Sequence, residues 1–546
     1  MPIIATLVSS LFLAVVLIPY LIRHAVALGL VDRPNERKLH VGAVPRVGGI
    51  AIVIAFLTPF AMWFPKNHEF VGIVGGVVLL FLFGVWDDRR DLNYRLKFVG
   101  QLLASLLVVG LGEIRIETMP FLQQPLPESA SWLLTIFCLL AITNAMNLAD
   151  GLDGLAGGAS ILSVGLVGLL AYQSGSYGLV LCTLAVAGSI LGFLRFNSHP
   201  ARIFMGDTGS QFLGFILGIQ VILLTQKVNT ALSPALPLLI LGLPVIDTAS
   251  VMVKRILNGR SPFSPDRNHI HHRLLQLGFT HYETVVVLYF IQSGFLLLAY
   301  LLRFHMDLMV LAAFVGYASV ILAGIQLALR YDWVRVFRDR SMLPQRSWLQ
   351  LFRTITGRIR HHRLVQSALL LVLPVYSLQA LVGSTRLTPD VGLLAWCLTA
   401  LLAVNLMAKI KRRPLDAIGM YTSCALIAYI GYDPEQAGLA GLVLDWSLVA
   451  VLGAIVWLAV MFSHRRLFET SPLDVLVILL TVLVPLLAGQ LDSRNGVLLA
   501  VVKFIVLLYA FEYIRHGKRP LLLNRVRAML SLCLAALGAG AIFFKL

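Results

Sequence analysis

Apolar stretches of about twenty residues, each long enough to cross ~30 Å of hydrocarbon, recur along the whole 546-residue chain. No other feature constrains folding so tightly. A backbone in lipid must satisfy its own hydrogen bonds, and a helix does this within one segment. Eighteen stretches are legible. Eleven lie near 5–22, 47–65, 69–86, 98–112, 132–147, 158–173, 177–195, 208–226, 232–253, 282–302 and 307–329. Seven more lie near 366–385, 391–408, 415–431, 438–462, 471–489, 496–514 and 526–544. The expected fold is an all-α, polytopic integral membrane protein of about 18 transmembrane helices. Only 13% of residues are charged and the mean hydropathy is +0.85. That is half the charge of a soluble domain, which excludes a multidomain soluble protein and a disordered one.

The charges are lopsided, 44 Lys+Arg against 27 Asp+Glu, for a net +17. Alternate loops resolve the excess. One set comprises 22–46, 86–97, 147–158, 195–208, 254–282, 330–365, 408–415, 463–470 and 514–527, and it holds 36 Lys and Arg. The other set, with the C-terminal end, holds 7. Cytoplasmic loops carry the basic excess, so the first set is expected in the cytoplasm and the N-terminus outside. The basic balance is then topological, and no nucleic-acid partner is expected. The first span has no charged segment before it and reads as an uncleaved span rather than a signal peptide. Cys138, Cys182, Cys397, Cys424 and Cys533 fall singly within spans, without pairing or metal spacing.

Carboxylates at membrane level are costly and are functional candidates by default. Here they gather at cytoplasmic helix ends: Asp87 and Asp88 in GVWDDRRD, Asp150 and Asp153 in NAMNLADGLDGLAGG, and Asp207 in PARIFMGDTGS. Asp247 lies deeper, within the ninth stretch. Asn144, Asn147 and Asp150 follow one another at i, i+3 on a helix. A continued helix would point Asp153 away from Asn144, so Gly151 and Gly154 are expected to end it in a tight turn. Loop 147–158 contains no Lys or Arg, so its acids require a divalent cation or a donor-rich ligand. The competing reading is a polar helix cap.

Asp87 and Asp88, about 100° apart on a helix end, can serve two partners, one a metal and one a proton. A solvated helix end competes with that reading. Arg95 and Lys97 follow within reach of a phosphate. Asp207 stands at a helix N-terminus, where free N–H groups favour anions, although an ordinary N-cap looks the same. The run DRNHIHHRL carries Asp266, Arg267, His269, His271, His272 and Arg273. It reads as an anion or sugar-phosphate site, with zinc and a solvated basic loop as alternatives. The oxygen-rich remainder suits Mg²⁺, with Mn²⁺ as a substitute. Phosphoryl chemistry on the cytoplasmic face follows, with the lipid bilayer as a partner.

In this order the motifs DD (87–88), NxxNxxDGxDGLAGG (144–158), PARIFMGDTGS (200–210) and DRNHIHHRL (266–274) resemble the polyprenyl-phosphate N-acetylhexosamine-1-phosphate transferases. Phospho-N-acetylmuramoyl-pentapeptide transferase is their relative. The resemblance covers residues 1–330 and implies transfer of a sugar 1-phosphate from a UDP-sugar to undecaprenyl phosphate in a bacterial plasma membrane. UMP is released and Mg²⁺ is required. It also implies roles. Asp207 and Asp87 would hold the metal, Asp88 would be the base for the lipid phosphate, and Lys97 would lie near the phosphates. Asn197, Phe204 and Asp153 would hold the uridine. Asn144, Asn147 and Asp150 would line the cleft, and Arg267, His269, His271 and His272 would meet the sugar-phosphate. Family members are often dimeric, so a homodimer is an expected assembly. The form of the histidine loop favours UDP-GlcNAc or a related UDP-N-acetylhexosamine over the muramoyl-pentapeptide donor.

The rest of the chain departs from that pattern. A basic linker with nine Arg (331–365 with Arg330 at its edge) precedes a module over 366–546. The linker reads equally as a basic amphipathic helix on anionic lipid and as a plain connector. A transporter is the alternative from another class. Against it, the acids sit on one face, and the sequence shows no inverted repeat with broken helices.

Overall fold

The computed structural model describes residues 2–32, 43–122, 124–259, 261 and 269–331, the helices Pro389–Met407 and Pro520–Phe543, and scattered further positions between 368 and 507. Asp266, Arg267 and the basic segment 332–365 therefore lie outside the described residues, as do most of the stretches expected between 408 and 519. The chain divides into two compact units, Met1–Arg340 with Ser471–Leu487, and Ser341–Thr470 with Ala488–Leu546.

In the first unit α1 (Pro2–Leu28) leads through a short antiparallel pair, β1 (Val31–Asp32) and β2 (Val44–Pro45), into α2 (Gly48–Trp63). There follow α3 (His68–Arg90), α4 (Tyr94–Gly110), α5 (Glu128–Ala149), α6 (Leu155–Gln173) and α7 (Tyr177–Asn197). Next is α8 (Gly206–Leu223), which ends in a π-helical turn, Leu224–Val228. The unit closes with α9 (Leu236–Ile240), α10 (Gly242–Leu257), α11 (Ile270–Gln276), α12 (His281–Leu302) and α13 (Asp307–Tyr331). In the second unit α14 (Pro389–Met407) packs against α15 (Pro520–Phe543). Among the described residues eight helices are long and apolar enough to span a bilayer: α1, α3, α5, α6, α7, α8 with its π turn, α12 and α13. The protein is thus an all-α, multi-pass membrane protein.

Helix α8 is the axis of the first unit. Every residue from Thr208 to Leu223 is buried, and α2, α3, α5 and α6 pack around it. A helix apolar on all sides belongs in such a place. Close approach is obtained with small residues: Gly188 and Gly192 of α7 face the backbone of α1 at Leu7 and Leu11, where an added Cβ would lie 2.4 and 3.0 Å from their carbonyl oxygens.

The ninth stretch, expected as one span over 232–253, is broken at Leu241 into α9 and α10. Pro244 lacks an N–H and its ring clashes with the carbonyl four residues earlier, that of Ile240. The freed groups find other partners. The Ile240 carbonyl accepts from Ser163 Oγ and Gln292 Nε2, each at 2.9 Å, and Leu243 N–H donates to Gln292 Oε1 at 3.0 Å. Irregular backbone at membrane depth is tolerated where the protein itself satisfies it. Helix α4 also starts at Tyr94, four residues before the expected stretch, because Asn93 caps it through Arg95 N–H. That places Lys97 on the first turn of a helix instead of in a loop.

Candidate active site

The site begins at the tight α3–α4 connection. Asp87, 1% exposed, binds this turn with one oxygen and a lysine with the other. Leu92 N–H donates to Oδ1 at 2.8 Å, and Lys97 Nζ lies 2.6 Å from Oδ2. Arg46, just after β2, reaches Asp32 at 2.5 Å and Asp91 in the same turn at 3.4 Å.

Asp88 faces elsewhere. Its Oδ1 accepts from Asp207 N–H at 2.7 Å, and its Oδ2 accepts from Thr208 N–H at 3.0 Å and Thr208 Oγ1 at 2.5 Å. Helix α8 has no side-chain cap from its own N-cap residue, Met205. Asp88 therefore supplies the missing acceptors from α3, and a negative charge at a helix N-terminus is favourable in itself. Gly206 has φ +70°, and a Cβ there would lie 2.5 Å from Asp88 Oδ1, so the contact requires glycine. The loop segment before α8 is fixed too. Phe204 N–H donates to the Pro45 carbonyl at 2.8 Å, and Gly48 and Gly49 N–H donate to the carbonyls of Phe204 and Met205.

Asp207 completes the cluster. Its Oδ2 is 2.9 Å from Lys97 Nζ and its Oδ1 accepts from Asn147 Nδ2 at 2.6 Å. Asn147 also donates to Ser210 Oγ at 2.8 Å. Asp87, Lys97, Asn147 and Asp207 thus converge from α3, α4, α5 and α8. Asn144, one turn deeper on α5, does not join them. It donates to Gln101 Oε1 at 2.7 Å, within an amide network that includes Gln211.

Helix α5 ends at Ala149, and Gly154 takes φ +82° at the start of α6. The half-buried Asp150 in this turn donates its backbone N–H to the Asn147 carbonyl at 3.4 Å, while its carboxylate has no hydrogen-bond or ion-pair partner among the described residues. Burial first, then the like charges of Asp207, Asp153 and Asp88, pushes its carboxyl up to about 7. A raised acid favours the protonated form in the fold, so the cost is present above about pH 7 and is gone near its ordinary value. Asp150→Asn should therefore raise the melting temperature in EDTA at about pH 8, and the gain should shrink towards pH 5. Equal melting of the two proteins at the higher pH would contradict this.

The glycine turn carries Asp153 onto two residues that sequence reasoning missed. His199 Nδ1 lies 2.8 Å from Asp153 Oδ2, and Ala201 N–H donates to the same oxygen at 3.1 Å. His281 stacks on His199 with ring centroids 4.1 Å apart and reaches the Asp153 carbonyl at 3.4 Å. Asp153, His199 and His281 form a group that could hold a metal ion. The rings would have to turn to share one, because planes only 18° apart cannot both contain it. The one available signal was His199 within NSHPAR, beside Pro200. Asn197 ties this region together, accepting from Gly154 N–H at 2.9 Å and donating to the Ile203 carbonyl at 2.8 Å.

The histidine run opens α11. His269 Nδ1 lies 2.9 Å from Asp247 Oδ2. His271 is buried against the Asp150–Gly151 turn, where a Cβ on Gly151 would lie 2.3 Å from Nε2. Burial lowers the His271 imidazole to about 4, so it is neutral at pH 7. The His272 ring lies 4.2 Å from that of His271.

A membrane bundle that gathers carboxylates, a lysine and histidines at helix ends defines an enzyme of anionic substrates. The glycosyl transferase family 4 profile matches residues 70–225. A Bacillus subtilis (strain 168) protein named "Probable undecaprenyl-phosphate N-acetylglucosaminyl 1-phosphate transferase" is 36% identical over 306 residues, 55% of this chain and 85% of the relative. The undecaprenyl-phosphate alpha-N-acetylglucosaminyl 1-phosphate transferases of Yersinia pestis and Escherichia coli (strain K12) are 32% and 31% identical. They cover 48% and 52% of this chain, and 74% and 80% of their own lengths. The chain belongs to glycosyl transferase family 4, among the polyprenyl-phosphate N-acetylglucosamine 1-phosphate transferases.

Proposed function

We propose that the protein transfers an N-acetylhexosamine 1-phosphate, with UDP-GlcNAc as the first-choice donor, to undecaprenyl phosphate and releases UMP. A phosphate oxygen of the lipid attacks the β-phosphorus of the UDP-sugar. The bond from that phosphorus to the bridging oxygen breaks, and its electron pair leaves on UMP. The observation that carries this reading is the convergence of Asp87 and Asp207 on the Lys97 ammonium, at 2.6 and 2.9 Å.

One buried and one half-buried carboxylate drawn onto one cation form a cation-seeking place, and its all-oxygen donors fit Mg²⁺, with Mn²⁺ able to replace it. Asp87 and Asp207 would hold the ion. When bound, it supplies charge neutralisation for the approach of two anions and for the departing phosphate. The chain's own groups do the rest. Lys97 moves from carboxylate to phosphate oxygen and offsets repulsion there. Asn147 holds Asp207 in place. Phe204, Asn197 and Asp153 bound the place for the uridine, and the histidine run bounds the place for the sugar diphosphate. The lipid phosphate has its second pKa near 6, so little proton removal is needed at pH 7.

The site opens to the cytoplasm of a bacterial inner membrane on this reading, with the N-terminus outside and about eighteen spans in all. The 36 to 7 division of Lys and Arg between alternate loops supports that orientation. Residues 1–330 form the catalytic module, 331–365 the linker, and 366–546 a module without a catalytic cluster in its sequence.

The test is UMP release by the full chain in detergent, supplied with Mg²⁺, undecaprenyl phosphate and, in turn, UDP-GlcNAc, UDP-GalNAc and UDP-MurNAc-pentapeptide. Release that needs both lipid and metal, with UDP-GlcNAc preferred, is expected. Folded protein silent with every donor would end the proposal.

A further inference from the structure

Asp247 is a membrane-level acid that the scheme above leaves without a task. It lies on α10, just past the break at Leu241, and is 4% exposed. Both of its oxygens are engaged by the start of α11. Oδ1 accepts from Ile270 N–H at 2.6 Å, and Oδ2 lies 2.9 Å from His269 Nδ1. His269, the N-cap residue of α11, makes no capping bond with its own side chain. The cap comes instead from Asp247.

An ionised carboxylate only accepts, so the Nδ1 of His269 carries the proton in this pair. That leaves the lone pair on Nε2, which can accept a hydrogen bond. The surroundings favour a fixed arrangement. The Asp247 and His269 side chains are 6% and 7% exposed, and Met146, Ala149, Leu243 and Leu288 line the adjoining apolar cavity. A hydrogen bond to an ionised group is stronger where water is excluded. The ring of His269 runs parallel to that of His271, 5.7 Å away, and His271 sits on the Gly151 backbone. One carboxylate on α10 therefore sets the position of the histidine run against the 150–154 turn.

We infer that Asp247 is a positioning residue for the UDP-sugar: it holds α11 and the His269 ring so that the Nε2 lone pair of His269 accepts from a hydroxyl or amide N–H of the donor's sugar. This rests on the function proposed above. Asparagine in place of Asp247 can still accept from Ile270 N–H. Its amide NH₂ would then face His269 Nδ1 and drive the ring to the other tautomer or out of place.

The experiment compares wild type with Asp247→Asn as full chains in detergent. It measures Kd for UDP-GlcNAc and for UMP without lipid, KM for both substrates, and the ¹⁵N resonances of labelled histidine. His269 is assigned by His269→Gln. The expected result is a donor Kd and KM weakened by about tenfold to a hundredfold, the range seen when an orienting partner is lost. UMP affinity and the KM for undecaprenyl phosphate should be unchanged, and the His269 tautomer signal should move. If Asp247→Asn does not fold, His269→Gln carries the same donor-selective expectation. Unchanged donor affinity, or equal losses for donor and UMP, would overturn the inference. Wild-type protein that bound no UDP-sugar would overturn the proposed function and this inference with it.

Discussion

Asp207→Asn is expected to lower UMP release at least about 1,000-fold at saturating substrates, a loss that added Mg²⁺ does not recover. Asp207 is where the elements of the site meet: its backbone N–H is held by Asp88, one oxygen by Asn147 and the other by Lys97. An amide keeps the shape and can still accept from Asn147. It cannot supply the second negative charge that, with Asp87, draws a cation into the cluster. Asp87→Asn should fall in the same range. Mn²⁺ binding followed by electron paramagnetic resonance, without either substrate, should be lost in both variants. Metal-dependent turnover within tenfold of wild type in Asp207→Asn would remove the metal role from this residue.

The sequence made the parts of the site visible, but did not reveal all of their partners. The spacing of Asp87 and Asp88 already required two directions, and the structure gives them: Lys97 for one, the N-terminus of α8 for the other. The end of α5 before a glycine turn was equally legible, because Gly151 and Gly154 are local signals. Asn144 and Asn147 share a face, yet only Asn147 reaches Asp207. Depth along a helix is set by the neighbours it meets, here Gln101 and Gln211 on α4 and α8. Likewise, no periodicity announces that Gln292 will supply bonds to the broken backbone at Ile240 and Leu243, 49 or more residues away. The pairing of His199 with His281 is silent in sequence for the same reason: a stack between the end of α7 and the start of α12 is a product of tertiary packing. Local chemistry was readable, and long-range satisfaction of polar groups was not.

That distinction bears most on Asp88, which the family resemblance casts as a base. Base chemistry needs a lone pair free to take a proton, whereas here three of the carboxylate's roughly four lone-pair sites are taken, by two backbone N–H groups and one hydroxyl. Asp88→Ala would leave three buried donors unsatisfied at the start of the central helix. Loss of a cap costs about 1 kcal/mol and each buried orphan group about 1–3 kcal/mol, so a destabilisation of about 3 kcal/mol or more is expected, together with loss of activity as Asp207 moves. Asp88→Asn separates the two readings. The amide oxygen can still accept from α8, so this variant should melt between wild type and Asp88→Ala and keep activity well above that of Asp87→Asn. A general base would behave in the opposite way below about pH 6, where the lipid phosphate keeps its second proton. Asp88→Asn would then be stable, but its activity would fall away from wild type as the pH drops. Melting temperatures and UMP release for the three variants, measured side by side, decide between an acid that takes a proton and one that holds a helix in place.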